Sequence, residues 1–300
     1  MSSSLTACDL SALLPDEPRW IDLRGLLLTG RCDLYAEADP GAGLVARSWD
    51  FPFAAVAGRP GAALLRSAAA AGRAAAEARP TAEEWELLAP SASRATVDEA
   101  LPGWRRRSVF VHRWAGALER PDLAVEAEIA LFPDGHRQRL DLAHVPAPTR
   151  AELTLDWVSR RPLAAAIVGG LPVAFCYAAL TTETLWDVSI ETLAPHRRRG
   201  LAAACFLALA RHMAERGKTP TWGATADNPA SLGLAAKLGF VRDSELDGWV
   251  AGNSRPPGDS CFRALRTSPR PETTVTGLGG APQSVVATVP RRWGRSPGRR

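Results

Sequence analysis

No run of apolar residues in this 300-residue chain approaches the roughly 18 that a membrane-spanning helix needs, and a stretch such as Leu201 to Ala210 stops far short. Met1–Leu10 lacks the charged start and apolar core of a secretory leader, so a cytoplasmic protein with no membrane partner is expected. The five cysteines (Cys8, Cys32, Cys176, Cys205, Cys261) are odd in number and contain no Cys-x-x-Cys pair, which argues against a disulfide frame and against a zinc site. Cys176 and Cys205 read as small buried hydrophobes. The five histidines show no metal-ligand spacing, and His112, His136 and His144 read as structural or surface groups. No metal is expected.

Net positive charge is lacking in the body of the chain and concentrated at its end. Residues 251–300 hold nine arginines against Asp259 and Glu272, a net of +7, whereas the whole chain carries +4, so residues 1–250 carry −3. The pI of about 9.0 therefore describes the last fifty residues. Rich in Pro, Gly, Ser and Thr and without an apolar period, 251–300 reads as a disordered basic tail. A slightly acidic body disfavours a nucleic-acid partner. What remains, with 46% hydrophobic residues, is enough for one large or two ordinary globular domains.

The most informative stretch runs from Trp186 to Phe240: a strand, an arginine-rich turn into a helix, a second strand and a short capped helix. Arg197-Arg198-Arg199-Gly200-Leu201-Ala202 places small residues where backbone N–H groups can approach an anion. The following helix adds its unpaired first amides and the positive end of its dipole. Cations are unfavourable at a helix start by about 0.3–1 kcal/mol each, so three arginines there call for a compensating anion, and a diphosphate fits. In the helix, Ala202, Phe206, Leu209 and Met213 share an apolar face, with Arg211, His212, Glu215 and Arg216 opposite and Gly217 at its end. Further on, Asn228 is a good N-cap, Pro229 suits the first helical position, Leu232, Leu234 and Leu238 point to a core, and Gly239 stops the helix before Phe240.

The pattern Arg/Gln-x-x-Gly-x-Gly/Ala at Arg197–Ala202, followed by Asn228-Pro229-Ala230-Ser231 and Lys237-Leu238-Gly239-Phe240, resembles the acyl-CoA-binding half of the GNAT superfamily of N-acetyltransferases, over roughly Val173 to Val241. The resemblance implies a mixed α/β sheet, acetyl-CoA as co-substrate, and cofactor contacts at Thr192, Leu193, Arg197, Arg198, Arg199, Gly200, Leu201, Ala202, Asn228 and Ser231. It also implies that two parallel strands, here Leu185–Thr192 and Thr221–Thr225, part to admit pantetheine. A small-molecule or peptide amine would be the acceptor. Alternation puts Asp187, Ser189 and Glu191 on one strand face; Glu191 and Asp187 are the candidate bases, or ordinary polar-face residues. The family's usual thiolate-protonating tyrosine is replaced by Ala235, with Ser231 or Tyr177 as weak substitutes. That gap keeps a second reading open: an acyl-CoA-binding regulator without turnover.

The first half repeats the order of elements without the chemistry. An apolar stretch from Trp49 to Ala57, the turn Gly58-Arg59-Pro60-Gly61, a helix over Ala62–Ala78, a strand over Trp85–Ala89, a helix over Ser93–Leu101 and a strand over Ser108–Trp114 match the second half, with Trp49, Trp85 and Trp114 standing for Trp186, Trp222 and Trp249. A degenerate domain over 1–118, a GNAT-like domain over 119–250 and the tail over 251–300 follow. Between the halves, Val125–Phe132 and Arg139–Val145 read as a hairpin about Pro133-Asp134-Gly135, and Thr149–Arg160 as a helix; Ala164–Val168 and Leu171–Leu180 form a second hairpin about Gly169-Gly170.

Overall fold

The computed structural model describes residues 13–77, 84–118, 125–135, 139–251 and 285–287. Its first half runs α1 (Ile21–Thr29), β1 (Cys32–Ala36), β2 (Gly43–Ser48), β3 (Phe53–Gly58), α2 (Ala62–Glu77), β4 (Glu86–Pro90), α3 (Arg94–Ala100) and β5 (Arg105–Trp114). The second runs β6 (Glu128–Phe132), α4 (Ala147–Leu153), β7 (Leu163–Val168), β8 (Leu171–Thr181), β9 (Leu185–Thr192), α5 (Leu201–Ala214), β10 (Thr219–Thr225), α6 (Pro229–Leu238) and β11 (Phe240–Val250), with β12 (Val285–Ala287) beyond.

All twelve strands join one sheet in the order β12-β1-β2-β3-β4-β11-β5-β10-β9-β8-β7-β6. That order is two-fold symmetric about the β11–β5 pair. On either side stands one parallel pair, β3 with β4 and β9 with β10, and the other pairings are antiparallel. Each half therefore gives its last strand to the other: β5 pairs with β10, and β11 pairs with β4. The central β5–β11 ladder runs from Phe240↔Trp114 to Val250↔Arg105, with a bulge between Arg242 and Ser244.

Tryptophans lock the exchange. Trp249 of β11 is fully buried among Leu65, Leu87, Ala89 and Val97 of the first half, and its Nε1–H donates to Asp98 Oδ1 at 2.7 Å. Trp114 of β5 reciprocates in the second half: it packs edge-on to Phe206 and donates to the Leu238 carbonyl at 3.0 Å, capping the end of α6. Apolar side chains divide by strand alternation. Trp186, Val188, Ile190, Trp222 and Phe240 meet α5 and α6 on one face. Leu88, Val109, Val111, Phe175, Tyr177 and Leu246 form the opposite core with Leu23, Leu26 and Leu27 of α1 and with Leu153 of α4.

The expected strands and helices of the second half form, and Gly217 closes α5 as foreseen: its N–H reaches Ala214 O at 2.9 Å while Lys218 N reaches Met213 O at 3.0 Å. Several expectations are corrected. Residues 139–145 form turns rather than a strand, and β6 pairs instead with β7 at the sheet edge, because Leu131↔Ala164 and its neighbours complete that ladder. The helix over Thr149–Arg160 breaks after Leu153 and resumes as a 3-10 turn at Val158–Arg160. Ser93 precedes α3 in a 3-10 turn. His212 is buried rather than on a polar face, and accepts from Arg216 Nη1 at 2.9 Å. Ser231, Ala235 and Leu238 form the inward face of α6, with Leu232 and Leu234 only partly covered.

The repeat is real in topology, but two of its tryptophan matches slip. The parallel ladders begin at Phe53↔Glu86 and Leu185↔Thr219, which aligns Trp186 with Ala54 and Trp222 with Ala89. Trp114 and Trp249 do correspond, by the pairing of β5 with β10 and of β11 with β4. Within the tail, Val285–Ala287 pairs with β1 as an edge strand instead of being disordered; the rest of that expectation lies outside the described residues.

Replacing Trp249 by Ala should cost about 3–5 kcal/mol in denaturant unfolding. Although Trp249 belongs to the second half in sequence, hydrogen exchange should show protection lost first in α3 and β4; loss confined to β7–β10 would contradict the strand exchange.

Candidate functional site

The parallel strands β9 and β10 pair at three positions only: Leu185↔Thr219, Trp186↔Pro220 and Asp187↔Thr221. Beyond these, β9 continues to Thr192 and β10 to Thr225 with no ladder between them. Each strand is held from its far side, β9 by β8 as far as Ala174↔Thr192 and β10 by β5 as far as Thr225↔Val109. The closed end is pinned by Thr221 Oγ1 donating to the Trp186 carbonyl at 3.2 Å. Two strand edges with backbone groups that need partners thus face one another across a gap.

At the open end of β9 the chain enters the arginine turn. Leu193 and Leu201 are buried and anchor it, while Arg197, Arg198, Arg199 and Gly200 between them are exposed. Arg198 (φ 62°) and Gly200 (φ 78°) are both left-handed, a conformation that turns successive amides toward a common point. Gly200 is the N-cap of α5, with no side-chain cap and no acidic residue in the first turn, so the first amides and the dipole are not neutralised locally. A Cβ at Gly200 would lie 3.3 Å from Val125 Cγ1. Arg197 is braced by Nε–H donation to the Thr192 carbonyl at 3.0 Å and by Glu191 Oε1 at 3.4 Å. Arg199 approaches His196 Nδ1 at 3.1 Å and the exposed Glu126 at 3.6 Å. Thr192 Oγ1 is buried beside this turn without a hydrogen-bond partner among the described residues, and Ala202 packs on the α5 core.

The second motif is built as the sequence indicates. Asn228 Oδ1 accepts from Ser231 N at 3.0 Å, Pro229 occupies the first helical position, and Gly239 ends α6 at φ 92°. Ser231 itself is buried, and its hydroxyl oxygen accepts the Trp222 Nε1–H at 2.9 Å, so Ser231 ties α6 to β10. Ala235 is 0% exposed.

Asp187, Ser189 and Glu191 lie on the β9 face away from α5. Asp187 and Ser189 are half-buried, and Glu191 is 9% exposed. Burial pushes the Glu191 carboxyl above its usual range, against the opposing charge and hydrogen bond of Arg197. Tyr177, paired with Ser189 across the β8–β9 ladder, is fully buried and donates to Glu152 Oε1. Burial first, then the Glu152 charge, hold the Tyr177 phenol well above its ordinary value, which makes it a poor proton donor at neutral pH.

The corresponding place in the first half is filled by the chain itself. The β3–β4 ladder likewise ends after three pairs, at Ala55↔Leu88. There, Ser93 Oγ donates to the Gly58 carbonyl at 2.7 Å, and Glu37 Oε1 accepts the Gly61 N–H at 2.7 Å at the start of α2. A carboxylate of the protein thus occupies the anion position, and Pro60 has no N–H to offer.

Residues 164–249 match the family model of the GNAT acetyltransferases. They carry the GNAT acetyltransferase fold. A GCN5-related N-acetyltransferase-like protein from Streptococcus suis aligns with 81% of this chain and 97% of its own at 18% identity, with a TM-score of 0.57. A Drosophila protein aligns over 83% and 98% at 17% identity, with a TM-score of 0.54. No curated protein matches the chain. The fold of the GNAT half thus extends, by structural likeness, across most of the molecule.

Glu191 carries a pH signature. In the unfolded chain it ionises near the ordinary 4.5, whereas in the folded chain it keeps its proton to higher pH. The folded state then binds more protons in that interval, so stability falls as pH rises from about 4.5 through the folded ionisation and is level above it. Glu191→Gln should remove that slope and leave a protein at least as stable as wild type at pH 8; parallel pH–stability curves for the two would show that burial does not govern Glu191.

Proposed function

We propose that this chain is an N-acyltransferase that moves an acyl group, acetyl in the first instance, from its coenzyme A thioester to an amine, in the cytoplasm. The observation that carries the reading is the unpaired β9–β10 gap ending at an uncapped, arginine-lined helix start. These residues fit the group: an exposed turn of left-handed backbone, three arginines and an uncompensated helix dipole suit a diphosphate, and two free strand edges suit the amides of pantetheine. Arg197, Arg198 and Arg199 with the amides of Gly200, Leu201 and Ala202 would hold the diphosphate. The backbone of Thr192 and Leu193 would pair with the arm, and Asn228 would flank it. Bound there, the thioester supplies an activated acyl group.

The chain's own residues do the rest. Asp187 orients an incoming ammonium, and Glu191 accepts its proton, for which a carboxyl raised toward neutrality is better matched than an ordinary one. A backbone N–H on the free edge of β9 near Glu191 or Thr192 faces the charge that develops on the carbonyl oxygen. The three candidate positions offer no ready proton for the departing thiolate: Ala235 is buried, Ser231 is engaged with Trp222, and Tyr177 with Glu152. This specific gap favours, as the second reading, an acyl-CoA-binding regulator without turnover.

Isothermal titration with coenzyme A tests the cradle. Wild type should bind, and Gly200→Val should not, even where the folded protein survives the roughly 1–2 kcal/mol that a branched residue costs in a left-handed position. Unchanged affinity would sink the placement. Release of free thiol from acetyl-CoA over a panel of amines separates the two readings. Glu191→Gln should lower turnover about 100-fold or more with coenzyme A affinity unchanged; binding without turnover on any amine supports the regulator.

A further inference from the structure

Every strand glycine in the sheet has a visible reason except one. Gly43 admits Pro60, where a Cβ would fall 2.5 Å from the Pro60 Cα, and Gly248 admits Glu86 at 2.1 Å. Gly58 is left-handed and would clash with the Ala42 carbonyl. Gly223, in the middle of β10, has an ordinary backbone and nothing within 4 Å of the position its Cβ would take. A glycine weakens a strand interior, so one with neither a conformational nor a packing need marks a place kept clear for something else.

The surroundings of Gly223 point the same way. Its Cβ direction lies on the face of Thr221, which is 1% exposed, and of its cross-strand partner Val111, which is 3% exposed. Gly223 itself is exposed. It is therefore an opening between covered neighbours. It stands two residues past Asp187↔Thr221, the last pair before β9 and β10 separate, which puts Ser189 opposite it across the gap. Asp187 and Glu191 share that face. In the first half the equivalent position, counted from the first pair of each parallel ladder, is Pro90, directly before the turn whose Ser93 closes the gap. Where the gap is closed the strand position is filled, and where it is open the position is bare.

We propose that Gly223 is the size-determining position for the transferred acyl group, and that the space above it admits acyl groups bulkier than acetyl, such as branched or aromatic ones. The inference rests on the coenzyme A reading above. Without a side chain at 223 the closed end of the gap opens toward Val111 and Ser189 on the face where the candidate base Glu191 stands. A Cβ-branched residue there would leave the arginine turn untouched while reducing the room at the reacting end.

Titration calorimetry of the full chain with coenzyme A, acetyl-CoA and benzoyl-CoA tests this. Wild type should bind benzoyl-CoA at least as tightly as acetyl-CoA. Gly223→Val should weaken benzoyl-CoA by about tenfold or more while coenzyme A itself changes less than about twofold, with Gly223→Ala between the two. Gly223→Ala, whose single methyl meets no neighbour, keeps the test sound should the valine variant not fold. Equal benzoyl-CoA affinity in wild type and the substituted proteins overturns the proposal. So does an equal loss for coenzyme A, which would put the pantetheine arm rather than the acyl group over Gly223. Failure of wild type to bind coenzyme A at all is a different result: it removes the cofactor reading, and this inference with it.

Discussion

The β5–β11 pair is the constraint on which the molecule depends. Each of these strands is made by one half and completes the sheet of the other, so neither half has a closed set of partners of its own. Trp249 and Trp114 reinforce this by placing their indoles in the opposite half and satisfying their N–H groups there, on Asp98 and on the Leu238 carbonyl. A buried indole brings large apolar area and one donor that must find an acceptor, so each fixes both position and orientation. The result is a single continuous sheet whose two parallel pairs, and hence whose two potential clefts, are held in a fixed relation.

Within that symmetric frame the two clefts differ through a few local substitutions. At the start of α2 the anion position is taken by Glu37, a charge-assisted hydrogen bond to a backbone amide that needs no ligand. At the start of α5 no acidic side chain lies in the first turn, and three arginines with a left-handed backbone stand at the positive end of the helix dipole, Arg197 paired with Glu191 and Arg199 with Glu126. Ser93 closes one gap, and Gly223 leaves the other open. The degenerate half is thus better described as self-liganded than as merely worn. It supplies β5, which pairs with β10, and α1, which packs in the core on the opposite face of the sheet.

Proton handling on the open cleft is uneven. The buried Glu191 carboxyl, braced by Arg197, stands next to the arginine turn and is joined to it through one ion pair. The Ser231 and Tyr177 hydroxyls, by contrast, are already engaged, with Trp222 and Glu152. In the reaction proposed above, solvent would supply the last proton, since a thiolate is a stable leaving group.

Much of this was legible in the chain. Local devices were read correctly because they depend on neighbours in sequence: the Asn228 cap, the Gly217 and Gly239 stops, the arginine turn and the hairpin at Gly169-Gly170. The repeat was visible in element order, yet Trp49 and Trp85 were matched to the wrong partners, since a large aromatic can serve its core from several strand positions. Residues 139–145 alternate like a strand but form turns, while β6 takes β7 as its ladder partner at the sheet edge, a pairing that local alternation does not specify. The sequence by itself determined the fold class, the turn into α5 and the polar face of β9, because periodicity, capping and glycine conformation are properties of a short segment. Only the tertiary structure decided that the halves exchange strands, that Glu37 and Ser93 close the first cleft, that Ser231 and Tyr177 are already engaged, and that Gly223 borders empty space, because each of these depends on contacts between residues far apart in the chain, which no local pattern encodes.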